Sequence, residues 1–302
     1  MKVSLIGVPI YFGSDIKGVD FGPDKLREKN IDDIITRNNH ILYDLGNIHI
    51  YPISEDKKYN IHPNMKYLEP IVKINTNLAH QVYSSLTSGS FPFVVGGDHS
   101  LGLGSISGAS KHFKNLAVIW VDAHGDINTH ETSPSGNIHG MPLAAAMGIG
   151  YKELTDLYFK GIKVNPENVF VIGARELDKG EIKLINDKKL NVYSTNEINK
   201  RGIDIILKEI INIISNNNVD ALHLSFDIDC LDSELVPGTG TPVKDGMSLN
   251  QVKFLLEYLA KTNLVKSLDF VELNSFLDKN DSTTNLVVDL IDWTFKHLNQ
   301  NS

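Results

Sequence analysis

The stretch AVIWVDAHGD, residues 117–126, joins an apolar run to a group of ionisable side chains. An apolar run of this length, rich in Val and Ile, predicts a strand buried on both faces, as in a parallel sheet covered by helices. Similar runs recur at Val3–Gly7, Phe91–Val95, Val169–Ile172, Ala221–Phe226 and Val265–Val271. Because they alternate with segments of helical spacing and no linker interrupts them, we expect one three-layer α/β/α domain over residues 1–302 with a mostly parallel central sheet.

Three segments show helical spacing most clearly. In Ser248–Lys261, Ser248 and Gln251 have the spacing of a capping box, and apolar residues line one stripe of the helix behind them. Ile203–Ile214 and Asn285–Leu298 have similar periodicity. Ligands of such α/β folds bind outside the carboxyl ends of the strands, so the polar residues after each apolar run are the candidates for function.

Composition excludes several classes of protein. The 302 residues carry 29 basic and 37 acidic side chains, a net charge of −8, and the lysines are scattered. We therefore expect no binding to nucleic acid or to an anionic membrane, because both need a basic patch. The single cysteine excludes a disulfide framework and a cysteine-based zinc site.

The N-terminal stretch MKVSLIGVPIYFG, residues 1–13, has one Lys before an apolar run, as a short secretory signal does. It lacks a small-x-small cleavage site, and we expect it to form the first buried strand instead. No apolar stretch approaches the ~18 residues that span a bilayer. These features favour a cytoplasmic enzyme.

Ionisable residues follow three of the predicted strands, in GGDHS (96–100), DAHGD (122–126) and SFDID (225–229). Side chains two apart share a face of extended backbone, so Asp122, His124 and Asp126 would lie together if the strand continued. Asp227 and Asp229 would do the same. An isolated Asp after a strand is more often a helix N-cap, and capping is the alternative for each carboxylate taken alone. For Asp98 and Asp232, capping or loop roles are the expectation.

The charge of this set favours a binuclear metal site. With His99 added, the set has two imidazoles and four carboxylates, and each carboxylate contributes −1 to a formal charge of −4. Burying that charge is costly unless cations neutralise it, and two divalent cations would cancel it. An oxygen-rich ligand set without thiolate suits Mn²⁺ better than a structural zinc.

The same motifs resemble those of the ureohydrolase family. GGDHS, DAHGD and SFDIDCLD (225–232) match its three metal motifs in order and spacing, and the similarity extends from GVDFGP (18–23) to FVELN (270–274). The loop SPSGNIHG (133–140) and the preceding Asn128 resemble the arginine-hydrolysing branch, in which these residues contact the carboxylate of the amino acid. The pattern differs at Cys230, Ser233 and Ser275, where Gly, Pro and Pro are usual.

The resemblance implies two Mn²⁺ per subunit and a bridging hydroxide that attacks the guanidinium carbon of L-arginine to give L-ornithine and urea. His99, Asp122, Asp126 and Asp227 would hold one ion. Asp122, His124, Asp227 and Asp229 would hold the other. A hydrolase for agmatine or another guanidino compound is the nearer alternative, and a metal-binding regulatory or scaffold protein without turnover is the more distant one.

The resemblance also implies roles for residues around the metals. Glu272 would bind the guanidinium group, His139 would shuttle protons, and Asp126 would relay a proton to the leaving amine. The implied substrate-binding residues are Asn128, Ser135, Asn137, Asp178, Thr241 and Glu272. We expect His223 to support the ligands without binding metal, and Cys230 to be a packing residue. The family also implies a homo-oligomer, a trimer or a hexamer.

Overall fold

The computed structural model describes residues 1–298. Its strands are Lys2–Val8 (β1), Ile41–Asn47 (β2), Phe91–Gly96 (β3), Leu116–Val121 (β4), Val169–Ala174 (β5), Asn191–Ser194 (β6), Ala221–Asp227 (β7) and Val265–Val271 (β8). Its α-helices are Gly22–Glu28 (α1), Ile31–Arg37 (α2), Leu68–Thr87 (α3), Gly102–His112 (α4), Pro142–Ala146 (α5), Lys152–Thr155 (α6), Lys179–Lys188 (α7), Thr195–Arg201 (α8), Ile203–Asn216 (α9), Leu249–Lys261 (α10) and Ser282–His297 (α11).

The strands form one sheet of eight, in the order β2-β1-β3-β8-β7-β4-β5-β6, and every pair is parallel. The predicted α/β class and the six predicted strands are confirmed, including β1 at the N-terminus. The predicted boundary at residue 302 lies outside the described residues.

The two edge strands, β2 and β6, are not predicted by the pattern of apolar runs. Most side chains of β2 are exposed, and β6 is short and only partly buried. Neither strand therefore has the continuous apolar run that marks a strand buried on both faces. Edge strands have a sheet neighbour on one side only. Here β2 and β6 form because they pair with β1 and β5, and the local sequence does not predict this pairing.

Two layers of apolar side chains cover the sheet. One contains alternate residues of the strands, such as Leu224 and Phe226 of β7, packed with α2, α9, α10 and α11. The other contains residues of α3, α4 and α5 packed against the opposite face, with Trp120 of β4 among them. The predicted three-layer arrangement is confirmed, and the predicted capping box of Ser248 and Gln251 begins α10.

The parallel arrangement determines where function can reside. All carboxyl ends of the strands lie at one edge of the sheet, and β3, β8, β7, β4 and β5 are consecutive neighbours there. The loops after these five strands carry the motifs that the sequence singles out. Across residues 1–298, no helix combines the length and the hydropathy needed to cross a membrane.

Candidate metal and substrate site

Three carboxylates meet at one nitrogen of His99, which follows β3. Nδ1 of His99 lies 2.9 Å from Oδ2 of Asp122, 3.3 Å from Oδ2 of Asp126 and 3.2 Å from Oδ2 of Asp227. All four residues are buried. The residues predicted to hold one ion are therefore brought together, with their donor atoms facing one another.

The other predicted ligands adjoin this group. Nδ1 of His124 lies 3.3 Å from Oδ1 of Asp122 and 3.2 Å from Oδ2 of Asp229. Asp122, His124 and Asp229 have ligand atoms that are mutually close enough to surround a cation, and so have His99, Asp122 and Asp227. Asp122 belongs to both groups and presents one oxygen to each. This is the arrangement that a ligand bridging two ions requires.

Strand alternation does not explain this convergence. β4 ends at Val121, and Asp126 has a φ of 52°, so the backbone turns away from the extended conformation assumed for DAHGD. The expectation that Asp122, His124 and Asp126 share a face of extended chain is wrong for this loop. The groups meet because the chain bends, and the N–H of His124 donates to Oδ1 of Asp122 at 2.7 Å within the bend.

The third motif behaves in the same way. Asp227 ends β7, but Asp229 lies in the 3₁₀ turn Ile228–Cys230. The N–H of Asp229 donates to Oδ1 of Asp227 at 2.9 Å, which closes the turn. Short loops with internal hydrogen bonds, and not the alternation of a strand, therefore determine the positions of these carboxylates.

The electrostatics of the cluster fit a pair of cations. Burial, reinforced by the charge of Asp122, raises the pKa of Asp126 to about 6, and burial with the charge of Asp229 raises the pKa of Asp227. Burial alone would lower the pKa of His99, but hydrogen bonds with the surrounding carboxylates outweigh it and hold that pKa well above its usual value. Raised pKa values of this kind mean that the metal-free cluster holds bound protons as its positive charge, and divalent cations would displace those protons.

Glu272 and His139 form a second polar group beside the cluster. Glu272 is buried directly after β8 with a φ of 67°, and its Oε1 accepts the N–H of His99 at 2.9 Å. Nδ1 of His139 lies 3.3 Å from the same oxygen. Burial would lower the pKa of His139, but the hydrogen bond with Glu272 and its charge outweigh burial and raise the pKa to about 9. A strained backbone that is retained at a buried carboxylate is typical of a functional site.

A cavity of about 150 Å³ is lined by His124, Asp126 and His139, and also by the predicted substrate-binding residues Asn128, Ser135, Asn137, Asp178 and Thr241. Nδ2 of Asn128 donates to Oδ2 of Asp178 at 2.8 Å, which joins the loop after β4 to the start of α7. In the loop 133–140, Oγ of Ser135 accepts the N–H of Asn137 at 3.2 Å. Nδ2 of Asn137 donates to the carbonyl oxygen of Ser14, while its buried Oδ1 has no hydrogen-bond partner within residues 1–298.

Thr241 lies at the mouth of the site, and Arg175 supports the loop that contains it. Oγ1 of Thr241 donates to Oδ2 of Asp229 at 3.0 Å, so the structure connects this predicted substrate-binding residue to a predicted ligand. The guanidinium group of Arg175 donates to the carbonyl oxygens of Asp229, Leu231 and Val243. No sequence pattern predicts this role of Arg175, because its acceptors are main-chain carbonyl groups, which every residue type has.

Glu181 is a second residue that sequence reasoning missed. Its side chain is 3% exposed, and burial raises its pKa to about 7. Oε1 accepts the N–H of Ile127 at 3.1 Å and Oε2 accepts the N–H of Asp178 at 2.9 Å, so one carboxylate holds both the loop after β4 and the start of α7. The spacing of Asp178 and Glu181, which matches a capping box, was the available signal.

Three further expectations are confirmed, those for Asp98, Asp232 and Cys230. Asp98 is an N-cap that accepts the N–H of Ser100, and Asp232 accepts the N–H groups of Glu234 and Gly246. Cys230 is buried in the apolar core, where it has a packing role. His223 is outside both groups of candidate ligands and connects to His99 through other side chains.

Comparison with known proteins finds a matching family, similar relatives and similar solved structures. Residues 1–295 match the Arginase family. A relative from Brevibacillus brevis named arginase is 43% identical over 294 residues, which cover 97% of each chain. The crystal structure of arginase from Bacillus cereus aligns with a TM-score of 0.91 at 40% identity, covering 98% of each chain. That of Entamoeba histolytica arginase in complex with L-ornithine aligns with a TM-score of 0.88 at 31% identity over 97% of each chain.

Proposed function

The chain belongs to the arginase family, and from that membership we propose that it hydrolyses L-arginine to L-ornithine and urea. One observation carries the choice of substrate. The cavity lined by Asp126 and His139 is also lined by Asn128, Ser135 and Asp178, which can bind the α-carboxylate and α-amino groups of an amino acid. Agmatine has no α-carboxylate, and the relatives that are about 40% identical are named arginase, so the agmatine-hydrolysing alternative has less support.

We propose that the acidic cluster binds two divalent cations, preferably Mn²⁺. One would be held by His99, Asp122, Asp126 and Asp227, and the other by Asp122, His124, Asp227 and Asp229. When bound, the two ions would supply a water molecule acidic enough to act as a nucleophile near neutral pH. Carboxylates and imidazoles without thiolate are hard ligands, which favours Mn²⁺ over zinc.

The remaining residues orient the substrate and move protons. Glu272 is a buried carboxylate beside the cluster, and a charge-assisted contact with the guanidinium group would place the reacting carbon there. Asp126 lines the cavity together with His139 and would carry a proton to the leaving amine. His139 is partly exposed and lies next to Glu272, so it would exchange protons between the site and bulk water.

Further residues that line the cavity would select the amino acid. Asp178 would attract the α-amino group, and Asn128, which donates to Asp178, would bind the α-carboxylate together with Ser135. The unpartnered Oδ1 of Asn137 is an acceptor for a polar group of the substrate or its hydration. Thr241 would limit the width of the entrance while its hydroxyl group orients Asp229.

We further propose that the enzyme is cytoplasmic and that it forms a homo-oligomer, a trimer or a hexamer. Family membership supports the oligomer, and the composition with a single cysteine supports the compartment. Sedimentation equilibrium on the Mn²⁺-loaded protein tests the first proposal, and fractionation of the cells that produce the protein tests the second.

A direct test measures urea release from L-arginine and from agmatine by the Mn²⁺-loaded protein. We expect a higher kcat/KM for arginine. Asp178→Asn should lower that kcat/KM by about 10- to 100-fold, the value of one charge-assisted hydrogen bond, with unchanged metal content. Asp187→Asn makes the same change on an exposed residue of α7 and should have no effect. A higher kcat/KM for agmatine, or no urea from either compound, would overturn the proposal.

A further inference from the structure

A chain of buried hydrogen bonds runs from His99 into the sheet. Nε2 of His99 lies 2.9 Å from Oγ of Ser225, and Oγ of Ser225 lies 3.3 Å from Oδ2 of Asp269. The same Oδ2 lies 3.1 Å from Nε2 of His223, whose Nδ1 lies 2.7 Å from Oγ of Ser267. We call these four residues behind His99 the buried chain. No member is more than 2% exposed.

The strand register explains why these polar residues meet inside an apolar core. β7 and β8 are parallel neighbours, and their register pairs His223 with Ser267 and Ser225 with Asp269. Because side chains alternate along a strand, all four project from the same face of the sheet. The imidazole of His99 approaches that face, stacked on the ring of Trp120 with a centroid distance of 3.7 Å.

The hydrogen atoms in the chain can be assigned by counting donors. A carboxylate only accepts, so Oδ2 of Asp269 takes one hydrogen from Nε2 of His223 and one from the hydroxyl group of Ser225. Ser225 has a single hydroxyl hydrogen. Because that hydrogen is donated to Asp269, Oγ of Ser225 can only accept a hydrogen bond from Nε2 of His99. Nε2 of His99 must therefore carry a proton.

The opposite tautomer of His99 breaks the chain. With its lone pair on Nε2, His99 would need the hydroxyl hydrogen of Ser225, and Asp269 would lose one of its two donors. Oδ1 of Asp269 already has no hydrogen-bond partner within residues 1–298, and the side chain is 0% exposed, so water does not replace the lost donor. Leaving a buried carboxylate with fewer donors is unfavourable.

We propose that Asp269, together with His223, is a positioning residue that keeps the proton of His99 on Nε2 and so presents an unprotonated Nδ1 to a divalent cation. The inference rests on the proposed metal site. Nδ1 is the nitrogen that faces Asp122, Asp126 and Asp227, so the tautomer selected by the buried chain is the one that can complete that group of ligands.

Two variants separate this positioning role from a general effect on packing. Asp269→Asn removes the charge that accepts from both neighbours, and we expect the weaker of the two dissociation constants for Mn²⁺ to rise at least tenfold. Ser267→Ala removes the far end of the chain but leaves both donors to Asp269. It should lower the melting temperature, but both dissociation constants for Mn²⁺ should stay within about twofold of the wild-type values, because the ligand set is unaltered. Equilibrium dialysis with Mn²⁺ gives these values without an activity assay.

A measurement on the unmodified protein keeps the proposal testable if Asp269→Asn does not fold. In protein loaded with diamagnetic Zn²⁺ and labelled with ¹⁵N-histidine, His99 should show a protonated Nε2 and a metal-bound Nδ1. A proton on Nδ1, or Asp269→Asn with unchanged Mn²⁺ affinity, overturns the role of the buried chain even if the wild type binds two ions and releases urea. Failure of the wild type to bind two ions would instead overturn the proposed metal site.

Discussion

Nη2 of Arg175 donates to the main-chain carbonyl oxygen of Asp229 at 2.7 Å, directly behind the carboxylate that faces His124. The same guanidinium group also reaches carbonyl oxygens in the loop from Leu231 to Lys244. The guanidinium group of Arg175, directly after β5, therefore holds the loop after β7 in place. No carboxylate is among these acceptors, which are the negative ends of peptide dipoles.

Arg175→Lys tests this relationship. An ammonium group has three donors in a compact arrangement and cannot reach the same carbonyl groups as a planar guanidinium. We expect the free energy of unfolding in urea to fall by about 2–4 kcal/mol, because buried carbonyl groups lose their donors. Mn²⁺ affinity should fall as well, since Asp229 is no longer held. Arg201→Lys, at a surface ion pair on α8, is the matched control and should leave the free energy of unfolding nearly unchanged.

Glu181 should make stability depend on pH in an unusual direction. Burial raises its pKa from 4.5 to about 7, so between these values the folded protein retains a proton that the unfolded chain has released. The free energy of unfolding of the metal-free protein should therefore decrease as pH rises through this window, by about 3 kcal/mol at ~1.4 kcal/mol per pKa unit.

Glu181→Gln has no proton to release and should remove this slope. Urea unfolding at several pH values between 4.5 and 7.5 gives the difference between the two proteins. Glu167→Gln, on an exposed loop, should follow the wild type. Equal slopes for the wild type and Glu181→Gln would contradict the prediction.

Glu272 should control the titration of His139. In the metal-free protein the imidazole should titrate near pH 9, because its contact with Glu272 outweighs the effect of burial. A raised histidine pKa adds stability that is complete below about pH 6.5 and is lost as pH rises through about 9. Glu272→Gln should lower this pKa, as followed by NMR of the histidine ring protons. Glu131→Gln, an exposed change in the neighbouring loop, should leave the midpoint unchanged.

Variants of Asp126 and His139 should distinguish a loss of metal binding from a loss of turnover alone. Asp126→Ala removes a predicted ligand, so metal analysis should find the loss of about one ion per subunit together with nearly abolished urea release. His139→Asn should lower kcat by about 10²–10⁴-fold while both ions remain, since it removes only a proton carrier. Full activity of Asp126→Ala with two ions retained would refute its assigned role, and an unchanged kcat would do so for His139.

Much of the candidate site could be predicted from the sequence because its residues follow recognisable buried strands. The apolar run before Asp122 marks β4, and the runs before His99 and Asp227 mark β3 and β7. In a parallel sheet these strand ends lie at the same edge, so the motifs were expected to meet. The edge strands β2 and β6 escaped prediction because they lack such a run.

The sequence by itself determined the class of fold and the identity of the clustered side chains, since both depend on local patterns: buried runs, helical spacing and polar residues at strand ends. The orientation of these clustered side chains was decided only by the tertiary structure. The backbone turns at Asp126, where strand alternation assumes an extended chain. The guanidinium group of Arg175 binds main-chain carbonyl oxygens, and the residue types in the sequence do not indicate such acceptors. The buried partners of His99 depend on the register of β7 against β8, a pairing between segments distant in sequence that is selected by packing of the whole sheet.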